Sequence, residues 1–116
     1  MNTMMITSLI LNIVILIPVC LGLITDAKWA NTVYGEASPA RAILTSVYAA
    51  ILLVSCVFLI WKDPTAVAAL LIVQIVYKVI SLATVGSLAH PVVMTNLLVA
   101  TFHAATLATY WTFAPR

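Results

Sequence analysis

The chain has 116 residues and 12.5 kDa, with 65% hydrophobic and 7% charged residues and a net charge of +2. Soluble domains run about 45–50% apolar and about 25% charged, and five basic and three acidic side chains cannot cover the surface of a soluble fold this small. A soluble enzyme, a disordered chain and a nucleic-acid-binding domain are thereby excluded.

A mean hydropathy of +1.21 points instead to an all-α membrane protein, long enough for about four spans of roughly 20 residues. The first predicted helix covers residues 4–25, an apolar run that no charge interrupts. No Lys or Arg precedes it and it is long for the apolar part of a signal peptide, so it reads as a retained helix. Pro18 predicts a kink near its C-terminal end. Residues 26–38 form the main loop, with Asp26, Lys28, Trp29, Tyr34, Gly35 and Glu36.

Ser38-Pro39 then reads as an N-cap followed by proline at the first helical position, opening a second helix over residues 39–61. Asp63-Pro64 repeats the signal for a third helix over 64–85. Pro91 opens a fourth over 91–113, after a turn from Gly86 to His90. Short connections of this kind join antiparallel neighbours, so the expected architecture is one domain over 1–116, an up-down bundle of four antiparallel spans.

An even number of spans leaves both termini on one side with Lys62 and Arg116, and Lys28 and Arg41 on the other. The positive-inside count ties. The longer 26–38 loop translocates readily, which favours cytoplasmic termini, and the small size suggests a bacterial inner membrane. Trp61, Tyr110, Trp111 and Phe113 would form one interfacial belt, with Trp29 and Tyr34 at the opposite interface.

The informative residues are those that are expensive in hydrocarbon. Lys78 lies about ten residues, roughly 15 Å, from the turn near Leu88, and a central lysine costs about 2.5–3.5 kcal/mol on insertion scales. Asp26, Glu36 and Asp63 all fall in loops, so no acid is expected beside it in the bilayer. The Cα–Cβ bond aims Lys78 deeper, away from the nearer interface. Its amine can snorkel, sit neutral, bond helix carbonyls, or pair with an acid on another chain. Gln74 shares its helix face, and His103 lies near the depth of Gln74. Gln74, Lys78 and His103 therefore form a candidate intramembrane polar cluster, with polar glue between helices as the plainer reading. Asn12 and Asn96 are further interhelical bond candidates.

His103, flanked by Ala100, Thr101, Ala104 and Ala105, is also the candidate ligand for a pigment. A bis-histidine haem within one chain is not expected, because His90 lies in the turn. No other cofactor is expected beyond bound lipid. No catalytic or metal-ligand motif occurs, and Cys20 and Cys56 differ too much in expected depth to pair.

Size and span count resemble the small multidrug resistance exporters. Those carry a coupling glutamate in the first helix, where this chain has Asn12, so their activity is not carried over. Trp29 and Tyr34-Gly35 in a long first loop, with Ala40-Arg41 opening a small-residue helix, resemble small four-helix membrane proteins of the DoxX-like kind. That resemblance implies a fold rather than an activity. The expected role is a non-enzymatic accessory or assembly subunit in the bilayer, packed against a larger complex of the photosynthetic or respiratory type. The alternative is a small homo-oligomeric transporter or channel with a polar path around Lys78.

Overall fold

A computed structural model of the chain describes residues 1–113. Its regular structure among the described residues is helical: α1 (Thr3–Ile24), α2 (Lys28–Tyr34), α3 (Pro39–Ile60), α4 (Pro64–Val85) and α5 (Pro91–Phe113). All but α2 are long and apolar enough to cross a membrane, and this marks an integral membrane protein. Arg116 and the Phe113 side chain lie outside the described residues.

The helix boundaries follow from end chemistry. The first N–H groups of a helix have no partner within it, and a polar side chain supplies one at each long helix here. Asn2 Oδ1 accepts from the Met5 amide at 2.9 Å, Ser38 Oγ from Arg41 at 3.1 Å, Asp63 Oδ1 from Thr65 at 3.1 Å, and His90 Nδ1 from Val92 at 3.2 Å. Pro39, Pro64 and Pro91 follow three of these caps directly, where the missing proline N–H leaves no bond unmade. α4 ends on Gly86, left-handed at φ 76° with its N–H on the Leu82 carbonyl, the glycine stop that spares a Cβ clash. Pro18 sits inside α1, which continues through it to Ile24.

α2 is the element absent from the sequence reading, which took residues 26–38 as one loop. It is seven residues long, and its N-cap, Ala27, makes no side-chain cap, so neither periodicity nor a cap announces it. Tertiary contacts hold it instead, as they do most short helices.

The chain divides into two compact units, one of Met1–Ser8 with the chain from Lys62 onward, the other Leu9–Trp61. In the first, α4 and α5 pack together. α4 buries Val67, Ala68, Leu71, Gln74 and Lys78; α5 buries Val93, Asn96, Val99, Ala100, His103 and Thr106 among others. Steps mostly of three and four residues, with one adjacent pair in each set, place each on one face of its helix. Outward positions carry Ile72, Val73, Val76, Val79, Ile80, Met94 and Leu98, all exposed. Polar groups inside and aliphatic groups outside invert the soluble pattern, as a lipid environment requires.

In the second unit, Asn12 Nδ2 on α1 donates to Ser55 Oγ on α3 at 3.2 Å. Tyr34 and Tyr48 meet edge-to-face with centroids 6.0 Å apart. The Trp29 indole lies directly over Gly22 of α1, where an added Cβ would stand 2.1 Å from Trp29 Cζ2. Gly22→Ala must therefore displace the indole, at a cost of about 1–3 kcal/mol. The expected result is a shifted Trp29 emission maximum, read against a Trp61/Trp111 double-phenylalanine background. An unchanged spectrum would show that the contact is dispensable.

Candidate functional site

The three residues singled out within the bilayer are all buried in the first unit: Gln74 and Lys78 on α4, His103 on α5. Each has polar company. Lys78 Nζ donates to Asn96 Oδ1 at 3.3 Å, and Asn96 Nδ2 donates in turn to Ser81 Oγ at 3.2 Å. Ser81 Oγ closes the circuit by donating to the Lys78 carbonyl. The amine also lies 5.0 Å from the centroid of the Tyr77 ring, within the range of a cation–π contact.

The direction taken by Lys78 differs from the expectation of a deeper aim. Asn96 is in the second turn of α5, and Ser81 is one turn beyond Lys78 on α4, so the amine is drawn toward the Gly86 end, the nearer one. A flexible four-carbon stem follows its acceptor rather than the Cα–Cβ vector.

His103 faces a different set. Its Nδ1 and Ser8 Oγ share a hydrogen bond of 3.1 Å, and Ser8 Oγ and Thr106 Oγ1 share one of 2.7 Å. Thr109 Oγ1 donates to the Thr106 carbonyl at 2.7 Å and accepts from Asn2 Nδ2 at 3.4 Å. The start of α1 is thus stitched to α5 by hydroxyl and amide groups. Ser8 was not among the residues the sequence singled out. Its signal was there: Met5, Ser8 and Asn12 step by three and four along α1, on one face of the helix.

The His103 ring is fully buried. One concavity on this helix pair is an apolar groove of about 260 Å³, lined by Ile72, Ile75 and Val76 of α4 with Ala104, Leu107 and Trp111 of α5. Ala104 neighbours His103 in sequence but turns about 100° away from it around the helix. Among the described residues, no group of three His, Cys, Asp or Glu side chains stands together to hold a metal. Cys20 and Cys56 are free thiols, the first buried and the second exposed, so an apolar surrounding sequence did not by itself bury Cys56.

A second polar centre, in the second unit, went unread in the sequence. Arg41, counted there as a topological charge, is buried at 7% exposure. Its guanidinium donates from Nη2 to Asp26 Oδ1 at 2.9 Å and to the Leu23 carbonyl at 3.2 Å. Nη1 donates to the Gly35 carbonyl at 2.8 Å and to Asn31 Oδ1. The planar fork thus joins the end of α1, the positive-φ residue Asp26 (φ 57°) and both the middle and the end of α2. Only arginine carries that many donors in fixed directions. With its Nη donors so engaged, Arg41 is a clamp rather than an anion site. Beside it, burial pushes the Tyr34 phenol above its ordinary value.

No protein-family model matches the chain, and no curated protein or solved structure shows significant similarity to it.

Proposed function

We propose that the protein is a non-enzymatic accessory or assembly subunit, an up-down bundle of antiparallel spans that packs within the bilayer against a larger membrane complex. The observation that carries this reading is the distribution of polarity. The strongly polar side chains of α4 and α5 are turned inward, as in Lys78–Asn96–Ser81 and His103–Ser8–Thr106, while the exposed Thr95 and Thr101 hydroxyls bond carbonyls of their own helix. The outward surface is mainly aliphatic and carries an open apolar groove. Such a surface recognises hydrocarbon or another transmembrane helix. A bacterial inner membrane with cytoplasmic termini is the setting that agrees best with this reading, and the DoxX-like resemblance belongs to the same proposal at the level of fold.

The test is gentle detergent extraction at native expression, followed by native mass spectrometry and an absorption spectrum of whatever co-migrates. A stable assembly much larger than the chain is expected. A homo-oligomer with no other component would overturn the reading. Absorbance from a bound pigment, lost in His103→Leu, would make His103 a ligand.

One observation favours a second reading, a small oligomeric transporter or channel. Polar side chains recur along the α4–α5 seam from Thr109 through Thr106, His103 and Gln74 to Lys78 and Asn96. On α5 alone, from Asn96 to Thr109, this is a path of about 20 Å at 1.5 Å per residue. Under that reading, Lys78→Met abolishes transport by the purified, folded protein in vesicles. Under the first, it weakens co-purification of the complex.

A further inference from the structure

The inference rests on the accessory-subunit reading and concerns the chemistry of the partner. Lys78 is 7% exposed, and its ammonium has three N–H donors. The hydrogen-bond acceptor it reaches is a neutral amide oxygen, Asn96 Oδ1. Among the described residues, no carboxylate lies within the 4.0 Å ion-pair distance of its nitrogen; the ion pair they form is Arg41–Asp26, in the other unit. Asp63, the acid of the same unit, caps the start of α4, fifteen residues earlier and about 22 Å away along the helix. An amide and an aromatic face offset part of the lost hydration of a cation, and a full negative charge is what this site lacks.

The surroundings indicate where that charge would arrive. Ile75, one turn before Lys78 on the same side of α4, lines the apolar groove. Thr101, Ala105 and Ala108 are exposed small residues beside Ala104 on α5, and small side chains let another helix approach closely. Lys78 is itself buried and held to Asn96, so pairing with a partner at the lipid-facing surface requires its flexible stem to swing outward from that bond. A helix lying in the groove therefore passes the lysine one turn further on.

We infer that Lys78 is the docking cation for a partner transmembrane helix carrying a single Asp or Glu at its depth, seated along the α4–α5 groove. Groove and lysine divide the labour: the apolar surface admits any helix, and the charge selects one bearing an acid.

The experiment uses the full chain in phosphatidylcholine vesicles, which have no anionic lipid. Its probe is a synthetic leucine–alanine transmembrane peptide with one Glu at the depth of Lys78, and the control peptide has Gln there. Association is read by energy transfer between labels. The Glu peptide is expected to associate roughly tenfold more tightly than the Gln peptide, the preference vanishing in Lys78→Met and persisting in Lys78→Arg. Equal association of both peptides with the unaltered protein would overturn the inference, without recourse to any variant that must fold. A preference that survives in Lys78→Met would overturn it too, as would oleate displacing the Glu peptide while binding the protein as tightly, since the anion would then be a free carboxylate. A large native assembly combined with no Glu preference removes the carboxylate and leaves the accessory reading standing. A lone homo-oligomer that still prefers the Glu peptide does the reverse.

Discussion

Asn96→Leu is expected to destabilise the extracted protein by about 3 kcal/mol, while Lys78→Met leaves stability unchanged or raises it by up to about 2 kcal/mol. The two residues are hydrogen-bond partners at 3.3 Å, yet their removal is not symmetric. Leucine at 96 strips the acceptor from a buried cation and leaves its charge facing hydrocarbon. Methionine at 78 keeps the length and packing of the stem, removes the charge, and leaves Asn96 its bond to Ser81. Orphaning one member of a buried polar pair is far worse than replacing the demanding member by an apolar group. The double variant should therefore lie close to Lys78→Met alone, a strong departure from additivity. Thermal unfolding in detergent micelles, followed by circular dichroism, checks all three proteins. Equal losses for both single variants would show that Lys78 is held by something other than Asn96.

Arg41→Met should release the 26–38 segment, at a cost of about 3 kcal/mol, because two backbone carbonyls and an amide oxygen lose a shared charged donor. Asp26→Asn should cost less than about 1 kcal/mol. Asp26 is 60% exposed, so water and salt already screen its attraction to the guanidinium. Lysine at 41 cannot serve both branches of the fork, and Arg41→Lys is expected to fall nearer to the methionine variant than to the native protein. The readout is tryptic cleavage after Lys28, which is exposed on α2, in micelles at low protease. Where cleavage follows the population of the open loop, 3 kcal/mol corresponds to an acceleration of roughly a hundredfold. If Asp26→Asn opened the loop as widely as Arg41→Met, the salt bridge, and not the carbonyl contacts, would be holding it.

Reading helices from the sequence succeeded where end chemistry and hydropathy coincide. Asp63-Pro64 and Pro91 set the starts of α4 and α5 to the residue, and Ser38-Pro39 that of α3. The second span ends at Ile60 rather than Trp61, which serves as its C-cap, and the first is displaced by one residue because Asn2 caps it. α2 was missed because it is short, uncapped and held by residues distant in sequence. Arg41 was misread for a related reason. A count of charges treats arginine as solvated, whereas its partners Asp26 and Asn31, fifteen and ten residues away, are brought to it only by the fold. Within the bilayer the types of residue were legible, since a lysine, a glutamine and a histidine in apolar helices need partners. Which partners they take was not. Lys78 reaches Asn96 because rotamer freedom lets its stem turn toward the Gly86 end of the helix, and His103 bonds to Ser8 because the first turns of α1 pack in one unit with α5.

The bond from Lys78 to Asn96 also has a bearing on biosynthesis. α4 emerges from the ribosome with Gln74 and Lys78 on one face, ahead of the acceptor that will hold the lysine. At about 5–20 residues per second, Asn96, eighteen residues behind the lysine, is synthesised one to a few seconds later. Until then α4 is a poor candidate to enter lipid by itself. With only five residues between Val85 and Pro91, the two helices can partition into the membrane as a closed hairpin, the lysine entering already bonded.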